Sequence, residues 1–267
     1  MTVNKMVTAL LGVLFLSVGT CVFGSEEAET ATADSQSVDL TADFEKWGLR
    51  RINQGSRPTC SVCTIVGALE YSLGKFGDSP QKLSVEFANW AKNEAGSQKG
   101  DGGFFSNIWR GYKKLGICPE ESFPYEKTFD PERAPSDDAI KEAKKLLDVR
   151  IEINWVKRWN PNTGLTEEQF QKIKSTLRER LPVCVGMRWP HKARRSHGIL
   201  LSVADEDVYD GHSVLLVGYQ DDETIEGGGY FLVRNTNNPK SNDRISYEYV
   251  KRFTNDAIFF SQPVDSE

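Results

Sequence analysis

The sequence predicts an α+β fold of two lobes with a cleft between them, and three observations carry that expectation. The first half of the chain repeats its apolar residues at helical spacing. The second half carries short, β-branched runs bounded by Gly, Pro and Asp/Asn clusters, the pattern of strands. The change falls near residue 150, and a run of helices followed by a run of strands marks segregated α+β architecture. Of the 267 residues, 39% are hydrophobic and 27% charged, enough for one sizeable core in two closely packed halves.

Each element has its own signal. Val62, Cys63, Val66, Leu69 and Leu73 recur at helical spacing, which predicts a helix opening at Cys60 and ending at Gly74. Asp78 to Pro80 starts a second helix that runs through "SVEFANWAKNEA" and stops at Gly96. "KGDGGFF" is a glycine turn. "SNIWRGYKKLG" is a third helix, capped by Ser106 and stopped by Gly116. After the proline-punctuated loop "FPYEKTFDPERAPSDD", helices are expected at 136–148 and 166–180, the second with a Thr166/Gln169 capping box. "PVCVGMRW", "HSVLLVGYQ" and "GYFLVRN" then read as strands. The helical lobe should span about residues 55–148 and the strand-rich lobe about residues 150–262, within a domain of residues 39–267.

The N-terminus has a different grammar. Lys5 is followed by the apolar stretch Met6 to Val18 and then by small residues with a plausible cut near Gly24. Residues 1–24 therefore read as a secretory signal peptide, too short in its apolar part for a spanning helix. Cys21 in "VGTC" weakly resembles a lipoprotein acylation site. Residues 25–38 are acidic and polar and read as a flexible linker. The expected destination is secreted or periplasmic, with no stable membrane insertion after cleavage. A net charge of −5 argues against an electrostatically driven nucleic-acid partner, and the basic run "HKARRSH" reads as solvated surface. The oligomeric state leaves no trace in the sequence.

Cys60 and Cys63 pose the chemical question. A redox C-x-x-C pair needs a preceding strand and a βαβ context, and neither is present. A structural zinc site needs four ligands, but Cys118 and Cys184 are isolated and no histidine has ligand spacing. No metal or organic cofactor is therefore expected. A cysteine at a helix N-terminus feels the positive end of the helix dipole, which favours the nucleophilic thiolate, so Cys60 is the candidate nucleophile. Cys63, one turn deeper, reads as core. Of the three histidines, His191 and His197 lie in the basic loop, whereas His212 stands at a strand entry where a side chain is held rigidly.

"QGSRPTCSVCTIVGALEY", "KGDGGFF", "GHSVLLVGYQ" and "YFLVRNTNN" follow one another as in the papain-like cysteine peptidases, and over residues 40–260 the chain resembles that family. It is similar to a divergent, bacterial-looking member without a long propeptide. The resemblance implies a papain-like two-lobed fold, with a helical left lobe, an antiparallel β-barrel-like right lobe and the active-site cleft between them. It implies a peptide or protein substrate, attacked by Cys60, with His212 as ion-pair partner and proton donor and Asn235 orienting the imidazole. Gln54 and the Cys60 backbone N–H would form the oxyanion hole. Gly102, Gly103, Phe105 and Gly211 would bind substrate, the glycines by leaving backbone open to an extended peptide. Phe105 would border a pocket of apolar preference, opposite the strand "PVCVGM".

The chain departs from the family at several positions. Ser61 stands where the family has Trp, and Asn237 stands in the place of the Trp that covers the Asn–His hydrogen bond. Arg57 and Gly100 occupy the places of two bridged cysteines, so no disulfide is expected there. Two alternatives stay open at this point. One is a catalytically weak or inactive papain-fold protein that binds peptides. The other is an amide hydrolase or acyl transferase acting on a non-peptide substrate with the same Cys–His pair.

Overall fold

The computed structural model describes residue 1 and residues 36–263, apart from 78–79, 97–98 and 238–242. The expected signal segment, Cys21, residues 25–35 of the expected linker and Asp78 lie outside the described residues. Gln36 to Val38 do not behave as linker. Val38 alternates with polar neighbours and packs on the core, and β1 (Ser37–Asp39) pairs antiparallel with the long strand β6 (Val208–Asp221).

The helical half is organised around α2 (Cys60–Phe76), which is buried on every side from Ser61 to Gly74. A helix buried on every face lies inside a core. It runs past the expected stop at Gly74, because that glycine lets Trp47 pack against the helix: a Cβ there would lie 2.9 Å from the Trp47 ring. α3 is Val85–Ala95 rather than a helix from Pro80. Its cap is Ser84, whose hydroxyl accepts from the Phe87 N–H, while Leu83 bridges to Pro119. α4 (Phe105–Leu115) begins one residue before Ser106, which makes no capping bond. α5 (Asp137–Lys145) is capped by Ser136, and α6 (Glu167–Arg178) carries the expected Thr166/Gln169 capping box. The first helix, α1 (Thr41–Lys46), and the last, α7 (Tyr247–Phe253), were not read from sequence because both are shorter than two full apolar repeats.

The strand half is one sheet. Its path runs β2 (Glu152–Lys157), β9 (Thr254–Ser261), β3 (Val183–Pro190), β6, β7 (Gly229–Arg234), β8 (Asp243–Ser246), β5 (Ile199–Leu201) and β4 (Arg194–Ser196). Every pairing among the described residues is antiparallel except β5 with β8, which is parallel. β6 starts at Val208, so His212 lies within a strand rather than at its entry. Residues 208–209 extend it by pairing with Pro190 and Trp189.

The two halves share one hydrophobic core. α2 joins its apolar side chains to Val183, Val185, Leu215 and Ile258 of the sheet. A second cluster around Phe87, Cys118 and Ala143 lies among α3, α5 and the loop between α4 and α5. The cysteines at 60, 63, 118 and 184 are all free thiols.

The segment leading to Cys60 is fixed by charge. The Arg57 guanidinium reaches Glu86 on α3 through Nη1 (2.5 Å) and Nη2 (3.1 Å). It also reaches Asp101, just before the glycine turn, through Nε and Nη2 (both 2.9 Å). Burial opposes the charge on Arg57, but the bonds to Asp101 and Glu86 hold its pKa above the ordinary value. Removing one partner of such a buried set leaves carboxylates without their counter-charge. Arg57→Met should therefore cost about 3–5 kcal/mol in chemical denaturation. A loss below about 1 kcal/mol, the range of an exposed pair, would show that Arg133, 3.8 Å from Glu86, substitutes for it.

Candidate active site

Cys60 is the first residue of α2, and its Sγ lies 3.9 Å from the carbonyl oxygen of Gly211, the residue before His212. Cys60 and His212 line one cavity of about 210 Å³ between the start of α2, the glycine turn and strands β3, β6 and β9. Gly103, Phe105 and Gly211 border the same cavity. Gln54 and Asn235 lie behind it, each contributing through hydrogen bonds rather than through its wall.

Asn235 is held by a chain of bonds that fixes the proton on His212. The Asp243 carboxylate can only accept, and it accepts from Asn235 Nδ2 at 2.8 Å. That turns Asn235 Oδ1 toward His212 Nε2, 3.0 Å away. The backbone N–H of Asn237 also donates to Oδ1, at 3.2 Å. Nε2 must therefore carry the hydrogen, which leaves Nδ1 as the basic nitrogen of the neutral ring. Arg195 of the basic run stands 3.7 Å from Asp243 at the outer end of the chain.

Burial works against charge on both Cys60 and His212. It pushes the Cys60 thiol up, with hydrogen bonds from the Ser213 and Ser61 backbone and the Ser213 hydroxyl pulling the other way. It pulls His212 down, opposed by the Asn235 bond and the charge of Asp243. The helix-start expectation of a depressed thiol is thus outweighed by desolvation. Cys63 is 1% exposed and burial raises its thiol to about 12, in keeping with a core role.

Gln54 is oriented from both ends. Its Nε2 donates to the Arg57 carbonyl (2.8 Å) and its Oε1 accepts from the Thr236 hydroxyl (2.5 Å). Its backbone carbonyl accepts from Tyr125, whose hydroxyl also meets Thr59 beside Cys60. One bond to Arg57 uses one of the two Nε2 hydrogens.

The glycine turn differs from expectation. Gly102 is not in the cavity wall. Its N–H donates to Asn89, its carbonyl accepts from Lys92, and at φ +80° a Cβ would collide with the Pro58 carbonyl. It is a packing glycine, not an open edge. Gly103 does face the cavity, and in the resting protein its N–H donates to Ser61 Oγ at 3.2 Å.

Sequence reasoning missed four residues here. Trp189 packs against His212 with ring centroids 4.5 Å apart at 68°. His212 and Asn235 are only 4% and 5% exposed, so their hydrogen bond is dry although position 237 carries Asn. Phe104 and Trp159 form the cavity mouth as an edge-on pair 5.5 Å apart. Asp243 lies eight residues beyond Asn235 and no spacing rule points to it.

The chain belongs to the papain family of cysteine proteases: the family model described as papain family cysteine protease matches residues 52–257. It is a papain-like cysteine peptidase, a hydrolase, and as a protease acts on peptide or protein substrates. Solved structures share its fold. Xylellain, a cysteine protease from Xylella fastidiosa, superposes with a TM-score of 0.64 at 21% identity, over 89% of this chain and 90% of that one. The digestive procathepsin L 3 of Tenebrio molitor larval midgut gives 0.58 at 15% identity, over 86% and 72%. The Amb a 11 cysteine protease, a ragweed pollen allergen, in its proform gives 0.62 at 20% identity, over 87% and 68%. No curated protein sequence matches the chain.

The Asp243 charge supports the proton on His212, so Asp243→Asn should lower the imidazole pKa further. The limb of the kcat/KM profile on which imidazolium loses its proton should then move to lower pH, by about one unit. Asn keeps an oxygen acceptor for Asn235, so an unmoved limb would show that Asp243 acts only as an anchor.

Proposed function

We propose that the chain is an exported peptidase in which Cys60, His212 and Asn235 form the catalytic triad and Gln54 helps to bind the oxyanion. The observation that carries this reading is the bond chain Asp243–Asn235–His212 ending at the cavity that Cys60 shares. Burial acts against charge on Cys60 and on His212 taken singly. The Cys60 proton passes to His212 Nδ1 as Sγ attacks the scissile carbonyl carbon. The carbonyl π-electrons move onto oxygen, which accepts from the Cys60 backbone N–H and a Gln54 Nε2 hydrogen. The oxyanion then collapses, the C–N bond breaks, and His212 gives its proton to the departing amine. Water attacks the thioester, loses a proton to His212, and the released sulfur takes that proton back.

Two experiments test the catalytic roles. Iodoacetamide near neutral pH should modify Cys60 and spare Cys63, Cys118 and Cys184, all of which are buried. Cys60→Ser should abolish peptide hydrolysis, and Gln54→Ala should cost about 10²–10³ in kcat. Labelling at Cys63, or turnover by Cys60→Ser, would overturn the assignment.

Export rests on the order of residues 1–24, a basic end, an apolar run and small residues. Among the described residues no helix is long and apolar enough to cross a membrane. N-terminal sequencing of protein collected outside the cytoplasm should begin near residue 25; an intact Met1 would sink the signal reading.

A further inference from the structure

One buried acid in the cavity has no part in the chemistry above. Asp256 on β9 is 5% exposed and lines the same cavity as Cys60. Its place follows from register: Asp256 pairs with Gly186 on β3, and Gly186 pairs with Ser213 on β6. Directly opposed residues share a sheet face, so these three form a row across the cavity floor. Gly186 is the opening in that row, since a Cβ there would collide with Asp256 Oδ1. The walls above are apolar and aromatic: Phe104, Phe105, Trp159 and Met187. Phe104 and Trp159 at the mouth are 53% and 45% exposed, among the most exposed large hydrophobics of the described residues.

Other charges bear on Asp256. Lys157 on β2 is buried and donates to the carbonyls of Asn160 (2.8 Å) and Asn255 (2.6 Å), while the charge of Asp256 acts on it. The Arg188 guanidinium lies over the Phe253 ring, 5.0 Å from its centroid. Asp256 is itself engaged in the resting protein. A carboxylate offers about four lone-pair sites, so being engaged does not by itself saturate it. An apolar substrate side chain filling this cavity would strip remaining water from the acid and return nothing. A side chain with an apolar stem and a cationic end fits both parts, its stem along the rings and its head at the floor.

We propose that Asp256 makes this cavity selective for a cationic substrate side chain, arginine before lysine, in place of the apolar preference that the sequence suggests. Arginine leads because its flat fork stacks on rings and meets a carboxylate in two bonds. The inference rests on the peptidase reading and names the substrate class of the same site.

The test uses fluorogenic peptides differing only in Arg, Lys, Leu or Phe at each position in turn, with wild type, Asp256→Asn and Asp256→Glu. At one position wild type should favour Arg over Leu by about 10- to 100-fold in kcat/KM, the scale of a charge-assisted hydrogen bond. Asp256→Asn should bring that ratio near one, and Asp256→Glu should restore part of it. A wild type that favours Leu or Phe at every position overturns the proposal, and that arm needs no variant to fold. So does an Asp256→Asn enzyme that loses Arg and Leu turnover equally, the signature of a structural partner for Lys157. If wild type hydrolyses none of the peptides, the peptidase reading fails. The same peptides then compete with iodoacetamide for Cys60: protection by Arg peptides at about tenfold lower concentration than Leu peptides supports a cationic cavity, and equal protection overturns it.

Discussion

The two-carboxylate grip on Arg57 is the constraint on which the cleft depends. Its head group joins α3, through Glu86, to the turn that begins at Asp101, and it lies 4.4 Å from the centre of the Tyr125 ring. Its backbone carbonyl takes a hydrogen of Gln54. One residue thus sets the distance between the glycine turn and the loop that enters α2. Buried ion pairs contribute modestly to net stability because desolvation offsets attraction. Their directional bonds nonetheless fix where the partners sit. Lys92 extends the same device, holding the carbonyls of Gly100 and Gly102, and burial lowers its pKa to about 8.

On the opposite wall the chemistry is ordered by acceptor-only logic. Asp243 accepts, so Asn235 must turn its oxygen inward, so His212 must hold its hydrogen on Nε2. Each step leaves a single choice for the next. Trp189 supplies an aromatic neighbour for the imidazole from β3, a strand on the far side of His212 from the Asn235 loop. The His212–Asn235 hydrogen bond is kept from water by the burial of both partners, 4% and 5% exposed, and in such surroundings it is electrostatically stronger than in water.

The low identity to structures of the same fold, 21% for xylellain, fits this picture. The fold needs a buried helix against a sheet with its apolar faces matched, and many side-chain sets satisfy that. Ser61 illustrates the accommodation. In place of a large ring it offers a hydroxyl, and that hydroxyl takes the N–H of Gly103 in the neighbouring glycine turn.

Sequence alone determined the segregated α+β order, the long helix behind Cys60, and the Thr166/Gln169 capping box. These depend on local spacing, which the chain displays directly. It also singled out Cys60, His212, Asn235 and Gln54 through their order and flanking segments. Tertiary structure alone decided the rest. Gly102 became packing, because Pro58 and Lys92 close around it. His212 moved inside β6, because Trp189 and Pro190 prolong the pairing. The thiol rose instead of falling, because burial at the cleft outweighs the helix end. Asp243, Trp189 and Asp256 join the site only through strand register and side-chain packing. A residue's neighbours across a sheet are fixed by pairing between distant segments, and no spacing along the chain records that.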